Sequence, residues 1–326
     1  MRVLAVDDDP IILELLVQFM AAIGEHRITT ANGGDEAIAL LEQSKADAFD
    51  CFMFDIQMPG IDGIELTRRV RANERFADVP ILMLTAMSDK RYIDGAFAAG
   101  ATDYVTKPFE VTGLQQRIDK LSQLSSSRGR HAIGFFADSA DAGPNAGEDM
   151  QLHEPFLVYD LDNMVAPVAI ENYVAQLSRS SLFGSSAFAF SLRKVEEFFA
   201  DLSAFEFRGL IADIAEVISG TLSGHQFLMS YAGDGVFVCV TESGWRPHMT
   251  TLQDAINLAL ARSEIYNNKA ERLHPRLVAG DAIRLVWRSH DTLISALADA
   301  HVSTEQARAE YERRLGDLWD YEQQPA

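Results

Sequence analysis

Five short apolar runs, Val3–Val6, Ile28–Thr30, Cys51–Phe54, Ile81–Leu84 and Tyr104–Val105, recur along the first third of the chain. Between and after them lie helix-period stretches at roughly residues 11–23, 34–43, 62–72, 89–98 and 110–122. Parallel strands need a crossover of a dozen or so residues, usually a helix, so this alternation constrains the fold strongly. It predicts an α/β domain, a doubly wound five-stranded parallel sheet with helices on both faces. All strand carboxyl ends then lie on one edge, where such folds place their sites.

The texture changes from Gln123 to about Gln151, where Ser-Ser-Ser-Arg-Gly-Arg precedes Asp-Ser-Ala-Asp-Ala-Gly-Pro-Asn-Ala-Gly-Glu-Asp. Small and polar residues cannot build a core, and the stretch reads as a linker. The expected organisation is residues 1–122, a linker over 123–150, and a second domain over 151–326. The second domain shows strand signals at 187–192, 226–232 with 235–240 as a hairpin, and 276–279 with 282–287. Helix signals fall at 165–178, 194–202, 207–220, 251–264 and 291–316, an α+β order.

Charge narrows the functional classes. The formal net charge is −20, and each half of the chain, divided after residue 150, carries 14 basic and 24 acidic residues. Neither half has the basic footprint of a DNA-binding module, so no DNA partner is expected. No apolar run approaches the length of a membrane helix, and the N-terminus turns acidic too soon for a signal peptide, so a cytoplasmic protein is expected. Cys51 and Cys239 lie in apolar runs without metal-ligand spacing, as reduced core thiols do.

Three places in the first domain carry chemistry. Asp7, Asp8 and Asp9 follow the first strand, Asp55 ends the third, and Lys107 follows the fifth. Carboxylates gathered on one edge repel one another unless a cation joins them, and a hard divalent ion with oxygen ligands fits. Asp9, followed by Pro10, reads instead as a helix cap. Gly33-Gly34-Asp35-Glu36 looks like a cyclase signature but opens the second helix, where glycines before an acid are ordinary N-terminal chemistry.

With these residues placed, residues 1–122 resemble a response-regulator receiver domain, a flavodoxin-like fold. The resemblance rests on the aspartate pair, the Asp-x-x-Met-Pro-Gly-x-Asp-Gly run from Asp55 to Gly63, Thr85, Tyr104 and Lys107-Pro108. It implies that Asp55 attacks a phosphohistidine on a histidine kinase or histidine phosphotransfer protein. It implies Mg²⁺ held by Asp8, Asp55 and the Gln57 backbone carbonyl, with Asp7 acting mainly through water. Lys107, with a cis bond to Pro108, is implied to pair with a phosphoryl oxygen, Thr85 to donate its hydroxyl to that group, and Tyr104 to act as a rotamer switch.

The second domain centres on the hairpin Leu228–Val240 with Ala232-Gly233-Asp234-Gly235 at its tip. Asp and Gly are what any tight turn uses, so the tip alone signals little. Over roughly residues 160–312 the region nevertheless resembles a GGDEF domain, the diguanylate cyclase fold. Asp160-Leu-Asp-Asn-Met stands at its opening, Phe188-Ala-Phe-Ser-Leu-Arg-Lys-Val at its first strand, and Asp291–Glu310 at its closing helix. Ser191 precedes Ala232 by 41 residues, which suits that family.

The departures decide the expectation. The metal-binding aspartate is Ser191, the guanine-reading pair is Phe199 and Arg208, and the signature glutamate is Gly235. The product-binding Arg-x-x-Asp falls on Ser223 to Gln226. One remaining carboxylate, Asp234, carries too little charge for two-metal chemistry. The hairpin also resembles that of class III adenylate cyclases, but Gly280-Asp281 follows it by only 47 residues, too near for that family. The expected protein is a two-component response regulator whose degenerate, cofactor-free GGDEF-like domain acts through an unknown downstream protein or by self-pairing. An active or nucleotide-sensing cyclase is the competing expectation. Catalysis beyond phosphoryl acceptance and self-dephosphorylation is not expected.

Overall fold

The computed structural model describes residues 1–322 except 25, 46–47, 87–89, 127–149, 159–160, 178–181, 183, 243 and 286–289. Most of the expected linker and Asp160 therefore lie outside the described residues. The chain forms two compact units, one of residues 1–133 with Asp162–Tyr173 and one of residues 134–161 with Val174–Ala326. This partition departs from the simple chain order expected above, because a segment from beyond the linker belongs to the first unit.

The first unit runs β1 (Arg2–Val6), α1 (Pro10–Ile23), β2 (Arg27–Ala31), α2 (Gly34–Gln43), β3 (Cys51–Asp55) and α3 (Gly63–Arg71). It continues with β4 (Ile81–Thr85), α4 (Lys90–Ala98), β5 (Asp103–Thr106) and α5 (Val111–Ser126). All neighbouring strands are parallel, in the order β2-β1-β3-β4-β5 of a doubly wound flavodoxin-like sheet. Apart from Arg2, Asp55 and Thr85 at their ends, the central strands β1, β3 and β4 are apolar throughout because both faces are covered. Alternate residues Val3, Ala5, Cys51, Met53, Leu82 and Leu84 pack with Leu13, Leu16 and Met20 of α1 and Leu114, Ile118 and Leu121 of α5. Their neighbours Leu4, Val6, Phe52, Phe54, Ile81 and Met83 meet α2, α3 and α4 on the other face. The last helix passes the expected boundary at residue 122 and ends at Ser126.

The helix starts bear out two expectations about local chemistry. Asp9 caps α1 by accepting from the Ile11 N–H, with Pro10 in the first turn. Gly34, Asp35 and Glu36 open α2, so the cyclase-like signature there is helix chemistry.

Beyond the linker the elements are α6 (Pro167–Gln176), β6 (Ser186–Leu192), α7 (Val195–Asp201), α8 (Ala204–Leu222), β7 (Phe227–Tyr231) and β8 (Val236–Thr241). They continue with α9 (Met249–Arg262), β9 (Leu277–Ala279), β10 (Ile283–Arg284) and α10 (His290–Glu322). In the second unit β6 pairs antiparallel with β8, and β8 with β7, which gives the expected hairpin. The expected strand over 282–287 is reduced, among the described residues, to β10, and β9 and β10 do not pair with each other. Both lie along β6, with Gly280 between them donating to the Ala189 carbonyl. A Cβ on Gly280 would fall 2.3 Å from the Thr304 hydroxyl, so only glycine lets this edge pass α10.

Candidate functional site

Asp7 follows β1 and Asp55 ends β3, neighbouring strands whose register places both residues on the carboxyl edge of the sheet. Lys107 follows β5, its backbone N–H donating to the Thr85 carbonyl at 2.6 Å and its bond to Pro108 cis. Its ammonium reaches between the two carboxylates, 2.6 Å from Asp7 Oδ2 and 2.5 Å from Asp55 Oδ1. Three residues spread over a hundred positions thus meet in one largely buried ion triad.

The remaining acceptors are satisfied locally. Asp55 Oδ2 accepts from the Gln57 N–H at 2.8 Å, and Asp7 Oδ1 from the Asp9 N–H at 3.0 Å. Asp7 and Asp55 are buried, while Asp8, Gln57 and Thr106 are exposed around them. Gly63 has a packing role that the motif alone does not reveal. Any Cβ there would lie 2.0 Å from the Asp55 carbonyl, so α3 can approach the acidic strand end only at a glycine.

Burial raises the Asp55 carboxyl above its ordinary pKa, against the opposing pull of Lys107 and with a further push from Asp7. Burial works against the Lys107 charge too, but its bonds to Asp55 and Asp7 outweigh it and hold that ammonium above its usual value. Two carboxylates that share one ammonium form a charge-dense edge, with hydrogen-bonding capacity suited to a group that brings negative oxygens of its own. Thr85, which ends β4, is buried. Tyr104, on β5 beside Met83, is partly buried with its ring edge-on to Phe97 at 6.1 Å.

The expected Mg²⁺ ligands differ in readiness. Asp7 and Asp55 converge on one point, whereas Asp8 stands on the exposed rim. Among the described residues, no three His, Cys, Asp or Glu side chains already form a metal-binding group. The donor set is nonetheless all oxygen, as a hard divalent ion requires.

The second unit's candidate site is built differently. Gly233, Asp234 and Gly235 all have positive φ, at 88°, 49° and 72°. A Cβ on Gly235 would lie 2.9 Å from Val195 Cγ2 and 3.0 Å from Leu192 Cβ, so this position cannot carry a glutamate without displacing its neighbours. The chain's own residues close over the turn. The Asp234 N–H donates to the Leu152 carbonyl at 2.8 Å, and a Cβ on Gly233 would fall 2.2 Å from the His153 carbonyl oxygen. The Phe156 ring lies 4.6 Å from that of Tyr231, and the Arg208 guanidinium lies over Phe156 at 5.4 Å.

Phe199 packs edge-on against Phe207, and Ser191 is fully buried with its hydroxyl unpartnered. Ser223 caps the end of α8, and Gln226 supplies a carbonyl to the Glu242 N–H. The substituted positions Ser191, Phe199, Arg208 and Gly235 therefore do not assemble a polar pocket around Asp234. The covering residues 151–156 were missed by the sequence reading, because they carry no periodicity and adjoin linker-like composition.

Comparison with known proteins gives the first unit its class. Residues 3–119 match the response regulator receiver domain family. The chemotaxis protein CheY of Pseudomonas aeruginosa is 35% identical over 121 residues, which are 37% of this chain and 95% of that protein. CheY-3 of Vibrio cholerae is 33% identical over the same length, covering 37% of this chain and 91% of that protein. The DNA-binding dual master transcriptional regulator RpaA of Synechocystis is 37% identical over 120 residues, 37% of this chain, and the match spans only about half (48%) of that relative's length. A solved receiver domain of the sensor histidine kinase PA1611 from P. aeruginosa, with a magnesium ion coordinated in its active-site cleft, is 31% identical. It covers 39% of this chain and 98% of its own, with a TM-score of 0.34.

The chain belongs to the response regulator receiver family. Its receiver domain is a phosphoryl-accepting module of two-component signalling, and such a module implies a histidine kinase or phosphotransfer partner.

Proposed function

We propose that Asp55 is the phosphoacceptor and that the chain is a response regulator whose second unit is a catalytically inert, GGDEF-like domain working through protein contacts. The observation carrying the first part is the Lys107 ammonium shared by Asp55 and Asp7 on the carboxyl edge of the sheet. An Asp55 carboxylate oxygen attacks the phosphorus of a phosphohistidine, the P–N bond breaks as the new P–O bond forms, and imidazole leaves with the bonding electrons. Lys107 then follows the charge, exchanging a carboxylate partner for a phosphoryl oxygen. Thr85 supplies a hydroxyl to the same group, and water later cleaves the acyl phosphate.

Asp7, Asp8, Asp55 and the Gln57 carbonyl are the residues that would hold Mg²⁺. When bound, that ion neutralises charge on the transferring group. Asp7, already anchored by the Asp9 N–H and Lys107, keeps the acidic edge rigid beside it.

The second part is supported by the closed hairpin tip. Residues 152–156 lie over Asp234, Gly235 leaves no room for an acid, and Phe199 and Arg208 are engaged with aromatic rings. Phosphorylation then acts through the face carrying Tyr104, whose movement changes what the receiver presents to a second copy or to an unknown downstream protein. Acetyl phosphate with Mg²⁺ should label the wild type and not Asp55→Asn, and equal labelling of both defeats the acceptor assignment. Incubation with GTP and Mn²⁺ should give no cyclic di-GMP; product that disappears in Asp234→Ala defeats the inert reading, and saturable nucleotide binding without product assigns a sensor.

A further inference from the structure

The first compact unit contains a segment that the receiver fold does not need. Asp162–Tyr173, which ends within α6, belongs to this unit although its sequence lies beyond the linker. It is held mainly by side chains, without strand pairing. The Asn172 amide donates to the Thr102 carbonyl at 2.8 Å and accepts from the Lys120 ammonium of α5. The Tyr173 hydroxyl donates to Asp94 Oδ1 of α4 at 2.9 Å, and the Asn163 N–H donates to the Ala98 carbonyl at 3.3 Å. Asn172 and Tyr173 are 5% and 3% exposed, so these are committed polar contacts rather than surface contacts.

The aromatic contact gives this docking a consequence. The Phe97 ring of α4 meets Tyr173 at 5.1 Å and 73°, and meets Tyr104 at 6.1 Å and 89°. One ring is thus shared by the docked segment and by a residue of β5. A second route runs through Thr102, whose carbonyl receives Asn172 while its hydroxyl accepts from the Ile81 N–H at the head of β4. That strand ends in Thr85, whose carbonyl holds the Lys107 N–H.

We propose that Asp162–Tyr173 is a built-in ligand of the α4–β5–α5 face of the receiver, and that its docking and phosphoryl loading of Asp55 oppose each other. The inference rests on the phosphoacceptor reading of Asp55. The segment fits the face that accompanies Lys107 bound between Asp7 and Asp55. A phosphoryl group draws Lys107 and Tyr104 to new partners, and Phe97 cannot then keep both of its edge-on contacts. Any other helix that uses this face, including one from a second copy, must first displace the segment. Because coupling is reciprocal, loading weakens docking by the same factor by which docking weakens loading, so a variant that loses the docking must load more tightly.

The test compares full-length wild type with Asn172→Ala and Tyr173→Phe, the second keeping the ring and removing the hydroxyl that bonds Asp94. Beryllofluoride with Mg²⁺ is titrated and followed by fluorine NMR, with Asp55→Asn as control, and hydrogen exchange is read at residues 94–104 and 162–173. The expected results are loading about fivefold tighter in each variant and loss of protection at 162–173 when the wild type is loaded. Loading that survives Asp55→Asn overturns the acceptor assignment and the coupling with it. Loading that needs Asp55 but is equal or weaker in both variants, or unchanged protection at 162–173, overturns the coupling alone.

Discussion

Asp55 ends a strand and Asp234 sits in the turn between two, each with glycines close by, and burial raises the pKa of both carboxyls. Their surroundings differ. Asp55 shares a lysine with a second carboxylate beneath an exposed rim, so charge can be exchanged there without unfolding anything. Asp234 faces His153, His301, Glu305 and Arg308, and its backbone is tied to Leu152 and to the Arg308 guanidinium at 3.2 Å. A lone carboxylate in a turn is a structural residue when the chain covers it. It becomes an acceptor when a movable counter-charge and an open rim remain beside it.

The largest effect should come from breaking the first half of this comparison. Asp55→Asn removes the proposed nucleophile, and acyl phosphate formation measured by mass spectrometry should fall to background. Persistent modification would move the acceptor elsewhere on the acidic edge.

Restoring an acid to the second site should fail for a physical reason. Gly235→Glu forces a side chain against Val195 and Leu192 at φ 72°, and should cost about 3 kcal/mol of stability. Denaturation followed by tryptophan fluorescence isolates the effect, since the sequence of the first unit contains no tryptophan. A variant that melts like the wild type and gains GTP turnover would show that the tip is more open than its packing indicates.

Glu242 sharpens the role of burial. It is 5% exposed, and burial pushes its carboxyl from 4.5 up to about 7. Below pH 4.5 folded and unfolded chains both hold the proton, so the residue contributes no difference. As pH rises from there the unfolded chain ionises first, so stability falls until about pH 7 and is flat above it. Glu242→Gln should remove that slope and stabilise the second unit by about 2 kcal/mol at pH 8, with little change at pH 4. Parallel pH profiles for the two proteins would refute the assignment.

Much of the receiver could be read in advance because its signals are local. Short apolar runs fix strands covered on both faces, and residues at strand ends converge wherever the sheet is parallel, so the sequence alone brings Asp7, Asp55 and Lys107 to one edge. The misses have physical causes too. Helix α8 begins at Ala204 rather than 207 because Ser203 and Glu206 form a capping box, a signal present in the sequence but overlooked. The reduction of the last strand pair to two short stretches along β6 depends on Gly280 meeting Thr304, a contact between distant residues. The same holds for the cover over Asp234 and for Asn172 and Tyr173, whose partners no periodicity could announce.

The smallest effect should come from Asp234→Asn, and its smallness is what matters. The side chain is half-buried, burial is the main cause of its raised pKa, and the nearby Glu305 adds to it while His153, Arg308 and His301 partly compensate. An acid whose folded pKa is raised weakens the fold as pH climbs past the ordinary aspartate range, because the unfolded chain gives up its proton more readily. Asparagine keeps the shape and tolerates the left-handed turn at φ 49°. The backbone bonds to Leu152 and Arg308 do not involve the carboxylate at all. The variant should therefore be equally stable at pH 4, more stable by under about 1 kcal/mol at pH 7, and unchanged in beryllofluoride loading. Tryptophan-detected denaturation at the two pH values measures the first two, and the loading titration measures the third. A large loss of stability at neutral pH would mean that the Asp234 carboxylate has a charged partner worth more than its burial costs, and the contrast with Asp55 would collapse.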